Sequence, residues 1–305
     1  MVVEVQSRAP HISICVCTYR RPNLLKALLR ELGRQKTNDQ FAYSIIVVDN
    51  DADQSAAEVV NEAAKQSACS IQYAVEAQQN ISMARNKAVQ LAEGDYIAFI
   101  DDDELPGNEW LLTLFGAMAR YDVDGVLGPV RPKFETAPPR WIITGRFYDR
   151  PSYPSGYVID GPKGRTGNVL LKRTLFDGAD EPFNPQLLTG EDQEFFGRMI
   201  AKGHSFVWCE EAVAYELVPP ARWKRSFILR RALLRGKVSL LQPTTGAREV
   251  FKSLVALPVY LILLPGLFVL SHGWFMKYLV KVFDHAGRLL ALFGLNPVNE
   301  SYVTE

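Results

Sequence analysis

Short apolar runs alternate with amphipathic stretches along the first hundred residues of the chain. Residues 12–17 predict a buried strand, and Pro22 then opens a helix with leucines at helical spacing on one face. Three more apolar runs predict buried strands, at residues 45–48, 71–75 and 96–100. A further helix is predicted over residues 82–92, with Ser82 as its N-cap. This alternation indicates an α/β fold with a mostly parallel sheet and helices on both faces.

The second half of the chain departs from this alternation. Residues 132–167 are rich in proline, glycine and aromatic residues, and they predict a long functional loop region and not a second domain. Residues 222–252 carry nine lysines and arginines against one acid, which is typical of a basic amphipathic segment. An uncharged apolar run follows at 254–270, and we expect Pro258 and Pro265 to interrupt a helix there.

The last apolar stretch, residues 274–295, contains ionisable side chains and suits an interfacial helix better than a second membrane span. Re-entrant, monotopic and single-span arrangements are all compatible with the C-terminal sequence, and so is a soluble helical bundle. The basic segment fits attraction to anionic lipid on the cytoplasmic side of a membrane. We therefore predict a catalytic domain over residues 1–235 and a membrane-association region over residues 236–305.

Composition narrows the functional classes. A chain of 305 residues, 48% hydrophobic, can form one core of roughly 200 to 250 residues with a segment left over. Its 34 lysines and arginines equal its 34 acids, which argues against a general nucleic-acid-binding protein. The four cysteines lack CxxC spacing, so no zinc site or disulfide framework is indicated. The N-terminus lacks a signal-peptide layout, and we place the soluble part in a reducing cytosol.

Polar residues end several of the predicted strands. Thr18 and Asp49 are two of them, and the four acids 101–104 follow the strand at 96–100 directly. Because ligands bind beyond the carboxyl ends of parallel strands, these side chains should converge. Consecutive aspartates repel one another unless a cation compensates, and their oxygens suit Mg²⁺ or Mn²⁺, which would hold a diphosphate. A cluster that only caps a helix near Asn108 is the structural alternative.

Two other segments contain residues suited to the same chemistry. Arg85 lies on the helix before the acids, and its guanidinium can reach the same phosphates, although an ordinary surface arginine fits the sequence equally well. Glu191 and Asp192 begin a helical pattern. A carboxylate at that position is commonly a cap, but if Asp192 faces the site it is suited to take a proton from a sugar hydroxyl.

Six short motifs occur in the order seen in the family-2 glycosyltransferases of the GT-A fold, and the chain resembles that family from about residue 12 to residue 235. They are CVCTYRRP at 15–22, VVDND at 47–51, ARN at 84–86, FIDDD at 99–103, TGN at 166–168 and GED at 190–192. Each motif alone is weak, but six in order are specific. The opening motif, VVDND and FIDDDE with Trp110 resemble, more narrowly, bacterial exopolysaccharide transferases of the succinoglycan β-1,4-glucosyltransferase type.

The resemblance implies a set of site residues. Asp103 would be the ligand of Mn²⁺ or Mg²⁺ and would form the DxD pair with Asp101. Eight residues would bind the donor, namely Thr18, Tyr19, Arg20, Asp49, Asp51, Arg85, Asp101 and Asp102. Asn168 and Glu191 would bind the acceptor, and Asp192 would be the general base.

The resemblance also implies a reaction. The enzyme would move one hexose with inversion from a nucleotide sugar, UDP-glucose on the narrower resemblance, to a polyprenyl-diphosphate-linked glycan. It would work on membrane lipid at the cytoplasmic face of the bacterial inner membrane. Arg222 and Trp223 lack a glutamine three residues before the arginine, so the QxxRW motif of processive synthases is absent. This favours transfer of a single sugar.

Two other functional classes are compatible with parts of the sequence. A phosphotransferase or phosphatase also places a DxD motif after a strand, but it usually has a nearby threonine, which residues 101–105 lack. A membrane-tethered glycan-binding protein with a degenerate transferase site would be expected to have lost Asp103 or Asp192. Both residues are present.

Overall fold

The computed structural model describes residues 8–187, 189–240, 247–295 and 298. Within these ranges the strands and α-helices follow one another as β1 (His11–Thr18), α1 (Pro22–Leu32), β2 (Ala42–Asp49), α2 (Ala57–Gln66), β3 (Ile71–Val75), α3 (Ile81–Leu91), β4 (Tyr96–Phe99), β5 (Glu104–Pro106), α4 (Trp110–Tyr121), β6 (Gly125–Leu127), β7 (Val130–Phe134), α5 (Arg140–Gly145), β8 (Val169–Lys172), α6 (Glu191–Ala201), β9 (Phe206–Trp208), β10 (Ala214–Val218), α7 (Arg225–Ser239), α8 (Ala247–Leu270) and α9 (His272–Leu292). The predicted α/β class is confirmed.

The main sheet has seven strands in the order β3-β2-β1-β4-β8-β6-β9, and a smaller sheet has the order β5-β10-β7. β1 pairs in parallel with β2 and with β4, and β2 pairs in parallel with β3. β8 is antiparallel to both of its neighbours, so the sheet is mostly parallel, as predicted. Strand order reverses between β1 and β4, and a ligand crevice forms at the carboxyl ends of the strands at such a switch point.

Helices cover both faces of the main sheet because its strands are apolar on both sides. On one face, Ile12 and Ile14 of β1 belong to an apolar cluster with residues of α1, α2 and α4. On the other face, Cys15 joins residues of α3 and α6. α1 shows the sequence origin of this packing, since its buried residues recur at helical spacing: Leu25, Leu28, Leu29 and Leu32.

The described chain divides into two compact units. The first contains the main sheet and comprises residues up to Arg131 with Arg150–Gln186 and Gly190–Leu217. The second comprises Pro132–Asp149, Leu187–Thr189 and the residues from Val218 onward. Within the second unit, α9 packs against α5, α7 and α8. Its small apolar core contains Ile142, Tyr148, Val218 and Ile228.

Three local predictions need correction. The N-cap of α3 is Asn80, whose side-chain oxygen accepts hydrogen bonds from the backbone N–H groups of Ser82 and Met83. The predicted loop region 132–167 contains α5, a helix of six residues that is too short to show a period. α8 continues through Pro258 and Pro265, because each proline removes a single N–H and the ladder on either side persists.

Candidate functional site

The carboxyl end of β1 and the acids after β4 are joined by side-chain hydrogen bonds. Thr18 Oγ1 donates to Asp102 Oδ2 at 2.7 Å. Arg21 Nη1 lies 3.1 Å from Asp102 Oδ1 and 3.4 Å from Asp103 Oδ2. Burial raises the pKa of Asp102 to about 6, while Arg21 opposes that shift. The structure thus brings the predicted strand ends together, with the buried Thr18 hydroxyl acting on Asp102.

Three carboxylates after β4 form a compact group of oxygen ligands. Oxygens of Asp101, Asp103 and Glu104 all lie within 4.8 Å of one another. Among the described residues, no donor makes a hydrogen bond to Glu104 Oε1, and Arg150 Nη1 is 3.7 Å away. Burial raises the pKa of the Glu104 carboxyl well above its usual range, and Asp101 adds to the shift. A buried acceptor with no donor and an all-oxygen ligand set fit a hard divalent cation.

Gly167 leaves space for this group. A Cβ at this position would lie 2.9 Å from both Asp101 Oδ2 and Glu104 Oε1. A side chain at this position would push the two carboxylates out of their present arrangement, so the glycine of the TGN motif preserves it.

Three arginines lie next to the acids, namely Arg21, Arg85 and Arg150, and only Arg85 is among the predicted site residues. Arg150 Nη2 donates to Glu216 Oε2 at 2.7 Å, in addition to its contact with Glu104. Arg21 belongs to the opening motif, next to the predicted donor residues. Arg150 lies in the aperiodic region and Glu216 in β10, so no sequence signal marks either residue.

Arg85 connects the acid cluster to the start of α6. It is nearly fully buried, it donates a hydrogen bond to Glu191 Oε1, and its Nη2 lies 3.8 Å from Asp101 Oδ1. Burial lowers the pKa of Arg85, but Glu191 and Asp101 more than reverse this. Glu191 is itself buried, so in this structure its carboxylate faces Arg85.

Asp192 is half-buried in the first turn of α6. Its Oδ1 accepts a hydrogen bond from the Gln193 N–H at 2.7 Å. Burial raises the pKa of Asp192, and the adjacent Glu191 raises it further, against the smaller effect of Arg85. A carboxylate with a raised pKa is a stronger proton acceptor, which suits a general base.

The predicted donor residues at and after the ends of β1 and β2 differ in their hydrogen-bond partners. The fully buried Asp49 accepts hydrogen bonds from the Ala56 N–H and from Tyr73 Oη, at 2.7 and 3.0 Å. Burial raises the pKa of Asp49. Arg20 Nε lies 3.0 Å from Asp51 Oδ2, and this hydrogen bond lowers the pKa of Asp51.

Arg20 also lies over the Tyr19 ring, with 5.2 Å from its guanidinium carbon to the ring centroid. Its side chain is more than half exposed. Arg20 is therefore exposed and Tyr19 half-buried beside it, while the buried Asp51 carboxylate lies behind Arg20 and the buried Asp49 holds the loop that follows β2.

Asn168 lies in a buried hydrogen-bond network. Its fully buried side chain accepts a hydrogen bond from Trp110 Nε1 at 2.7 Å. Its Nδ2 donates to the carbonyls of Pro129 and Ala212, at 2.8 and 2.7 Å. This side chain is closed off from solvent in the present structure, so its contact with the acceptor stays a prediction. Its hydrogen bonds connect three segments of the first unit, those that contain Trp110, Pro129 and Ala212.

Replacing Asn168 with alanine is expected to destabilise the fold by about 2 to 5 kcal/mol, because two buried carbonyls and an indole N–H lose their partner. Urea unfolding followed by circular dichroism measures this. Asn108→Ala, at an exposed position, is the control and should stay within about 0.5 kcal/mol of the parent chain. Equal stability of the Asn168→Ala and Asn108→Ala chains would contradict the structural role.

Comparisons with known proteins agree with this geometry. The family model for glycosyl transferase family 2 matches residues 13–171. The succinoglycan biosynthesis protein ExoM of Rhizobium meliloti is 32% identical over 252 residues, which cover 81% of this chain and 80% of that protein.

Solved structures share the fold. The mannosyltransferase PcManGT from Pyrobaculum calidifontis, in complex with GDP-Man and Mn²⁺, aligns with a TM-score of 0.62 at 17% identity, over 94% of this chain and 88% of that one. TarS 1–349 from S. aureus, in complex with UDP, aligns with a TM-score of 0.53 at 15% identity, over 94% and 93%. These likenesses show the GT-A fold.

Proposed function

Because the chain belongs to glycosyltransferase family 2, we propose that it transfers one hexose, with inversion, from a UDP-sugar to a polyprenyl-diphosphate-linked glycan. UDP-glucose is the donor that we propose on the narrower resemblance. The observation that carries this proposal is the group of Asp101, Asp103 and Glu104 at the switch point of the sheet.

The acid group supports a metal-assisted departure of the diphosphate. Asp101, Asp103 and Glu104 would hold Mn²⁺ or Mg²⁺, whose positive charge stabilises the nucleoside diphosphate as it leaves. Thr18 and Arg21 orient Asp102 beside this group. The Mn²⁺ in the structure of PcManGT is consistent with such a site in this fold.

We assign the nucleotide to the surface formed by Tyr19 and Arg20, with the buried Asp51 carboxylate behind Arg20. A planar guanidinium and a ring can stack on a base, and a carboxylate can accept hydrogen bonds from ribose hydroxyls. Thr18 and Asp49 act indirectly, through Asp102 and through the loop after β2.

Asp192 is the proposed general base. It takes the proton of the acceptor hydroxyl while that oxygen bonds to the anomeric carbon and the bond from this carbon to the diphosphate breaks. Arg85 holds Glu191 next to it, so the two adjacent carboxylates do not compete for one cation. Glu191 is proposed to contact the acceptor only if it is released from Arg85.

We also propose that residues 1–235 are catalytic and that residues 236–305 associate with a membrane, at the cytoplasmic face of a bacterial inner membrane. α8 is long and apolar enough to cross a membrane by length and composition. A bacterial relative named for succinoglycan biosynthesis is consistent with an acceptor that is an intermediate of polysaccharide synthesis.

Removal of the metal is expected to abolish donor binding. Calorimetric titration of the detergent-purified chain with UDP should give a clear binding isotherm with Mn²⁺ and at least a tenfold lower affinity with EDTA, on the order of 1.4 kcal/mol or more. GDP, titrated in parallel, is the control for the identity of the nucleobase. Equal affinity with Mn²⁺ and with EDTA would refute the metal role, and tighter binding of GDP would refute the choice of uracil.

A further inference from the structure

α8 exposes an extended apolar surface on the second unit. The helix carries no charge from Ser253 to Leu270, and its large apolar side chains are mostly exposed, reaching 78% at Ile262 and 84% at Val269. The other exposed apolar side chains on this helix are Phe251, Leu254, Val255, Val259, Leu261, Leu263, Phe268 and Leu270. A continuous surface of this kind in contact with water marks an interaction site.

α9 is held at both of its ends by other helices of the second unit. Near its start, Gly273 lies so close to Thr144 of α5 that a Cβ would collide with it. Near its end, Gly287 lies against the backbone of Leu233 in α7, and Gly236 of α7 lies against the backbone of Asp284. Such close helix packing at glycines keeps α9 fixed on α5 and α7 along its length.

Polar groups lie in the middle of this arrangement. Arg235 of α7 forms an ion pair with Asp284 of α9 at 2.6 Å. Arg288 donates to Ser253 of α8 and to Ser239 of α7, both at 2.8 Å. Lys281 Nζ lies 5.3 Å from the Tyr260 ring of α8. α8 is thus joined to α9, and α9 to α7, by charged side chains.

Length alone allows α8 to span, since 24 residues rise about 36 Å. If it crossed a bilayer, however, α9 and its partners on α7 would enter the hydrocarbon with it. Each charged side chain at the centre of a bilayer costs about 2.5 to 3.5 kcal/mol on insertion scales. Lys281, Asp284 and Arg235 would all be placed there. The insertion free energies of these three side chains make a crossing unfavourable.

We propose that α8 lies in the plane of an anionic lipid surface, with its outer face inserted among the acyl chains and without crossing the bilayer. A helix that lies in the plane of the interface buries its apolar face to a depth of about 5 to 10 Å. This inference rests on the proposed location at a membrane, but it is independent of the donor chemistry.

Charge favours lipid over a second copy of the chain as the occupant of this face. Between Arg222 and Arg288 there are twelve lysines and arginines and two acids, Glu249 and Asp284. Each lysine or arginine near an anionic surface contributes about 1 kcal/mol of attraction. Two copies of the chain that met through this face would instead bring two basic segments together.

Vesicle flotation of the full chain tests the partner. We expect the protein to float with vesicles of phosphatidylcholine and phosphatidylglycerol, and at least about tenfold less with phosphatidylcholine alone. The double variant Ile262→Glu/Val269→Glu should lose flotation and keep its UDP affinity. Val158→Glu, at an apolar position in the first unit that is 68% exposed, is the matched control and should float normally.

Flotation of the double variant at the parent level would overturn the proposal, and so would a lipid-free dimer in sedimentation analysis that the double variant abolishes. Either result leaves the calorimetric UDP titration unaffected. Failure of the membrane assignment is therefore distinguishable from failure of the proposed transferase site.

Accessibility of the turn after α8 tests the in-plane orientation. Leu270 is exposed at the end of α8, and Leu270→Cys should stay unlabelled by a membrane-impermeant maleimide in intact bacterial cells and react only after detergent has removed the lipid. The parent chain, with its four native cysteines, gives the background. Labelling of Leu270→Cys in intact cells would place this turn on the far side of the membrane and overturn the proposal.

Discussion

Asp103→Ala is expected to abolish metal-dependent donor binding. Asp103 is one of three carboxylates whose oxygens lie within 4.8 Å of one another, and a hard cation needs several such ligands at once. Loss of one anionic ligand should lower the affinity for UDP with Mn²⁺ by at least about tenfold, to the level seen with EDTA, because the cation is no longer held. Calorimetry with UDP and Mn²⁺ measures this.

The unfolding midpoint of Asp103→Ala distinguishes the loss of a metal-binding side chain from the loss of the fold. Asp103→Ala removes one of several like charges from the cluster, so its unfolding midpoint is expected to equal or exceed that of the parent chain. Asp177→Ala removes an exposed acid elsewhere in the first unit and should leave UDP affinity unchanged. Parent-level UDP affinity in Asp103→Ala, with Mn²⁺ present, would show that Asp103 does not hold the metal.

Asp192→Asn is expected to bind UDP normally and to turn over at least about a hundredfold more slowly, because an amide of the same shape cannot accept the proton. The pH profile gives an independent readout. The pKa of Asp192 is raised by burial and by Glu191, so the parent kcat should fall as pH decreases through that raised pKa and the carboxylate becomes protonated. The acidic limb should be missing from the profile of Asp192→Asn.

Glu194→Gln is the matched control for this variant. Glu194 lies in the same first turn of α6, where it pairs with Arg198 at 2.9 Å, so the substitution removes the same charge from the same helix end. We expect its kcat to stay within about threefold of the parent value, as the loss of one partly exposed ion pair implies. A near-normal kcat in Asp192→Asn would move the general base to another residue.

Much of the site follows from local sequence rules. Apolar runs that end in Thr18, Asp49 and the acids at 101–104 predict strands whose carboxyl ends meet, and the register of β1 with β2 and β4 brings these ends to one edge. The order of the motifs predicts the family. Periodicity and strand termination are properties of short segments, so they can be recognised before the fold is known.

Residue roles that depend on distant partners could not be predicted in this way. Asn168 belongs to a family motif, yet its hydrogen bonds to Trp110 and to carbonyls far along the chain occupy its side chain. Arg150 approaches Glu104 from a region with no periodic pattern. The burial and pairing of a polar group depend on the segment that packs against it. The local sequence around the polar group does not identify that segment.

The C-terminal helices show the same division. The apolar run, the basic segment and their lengths are readable from residues 222–295, and they indicate a membrane while leaving its mode of contact undecided. The tertiary structure supplies what composition lacks, namely that α9 packs on α7 and on α5 and connects charged side chains to α8. Amino-acid order by itself determined which surfaces are apolar and which strand ends are acidic, because both are local. Only packing decided which of these groups are accessible, because accessibility depends on what covers each group.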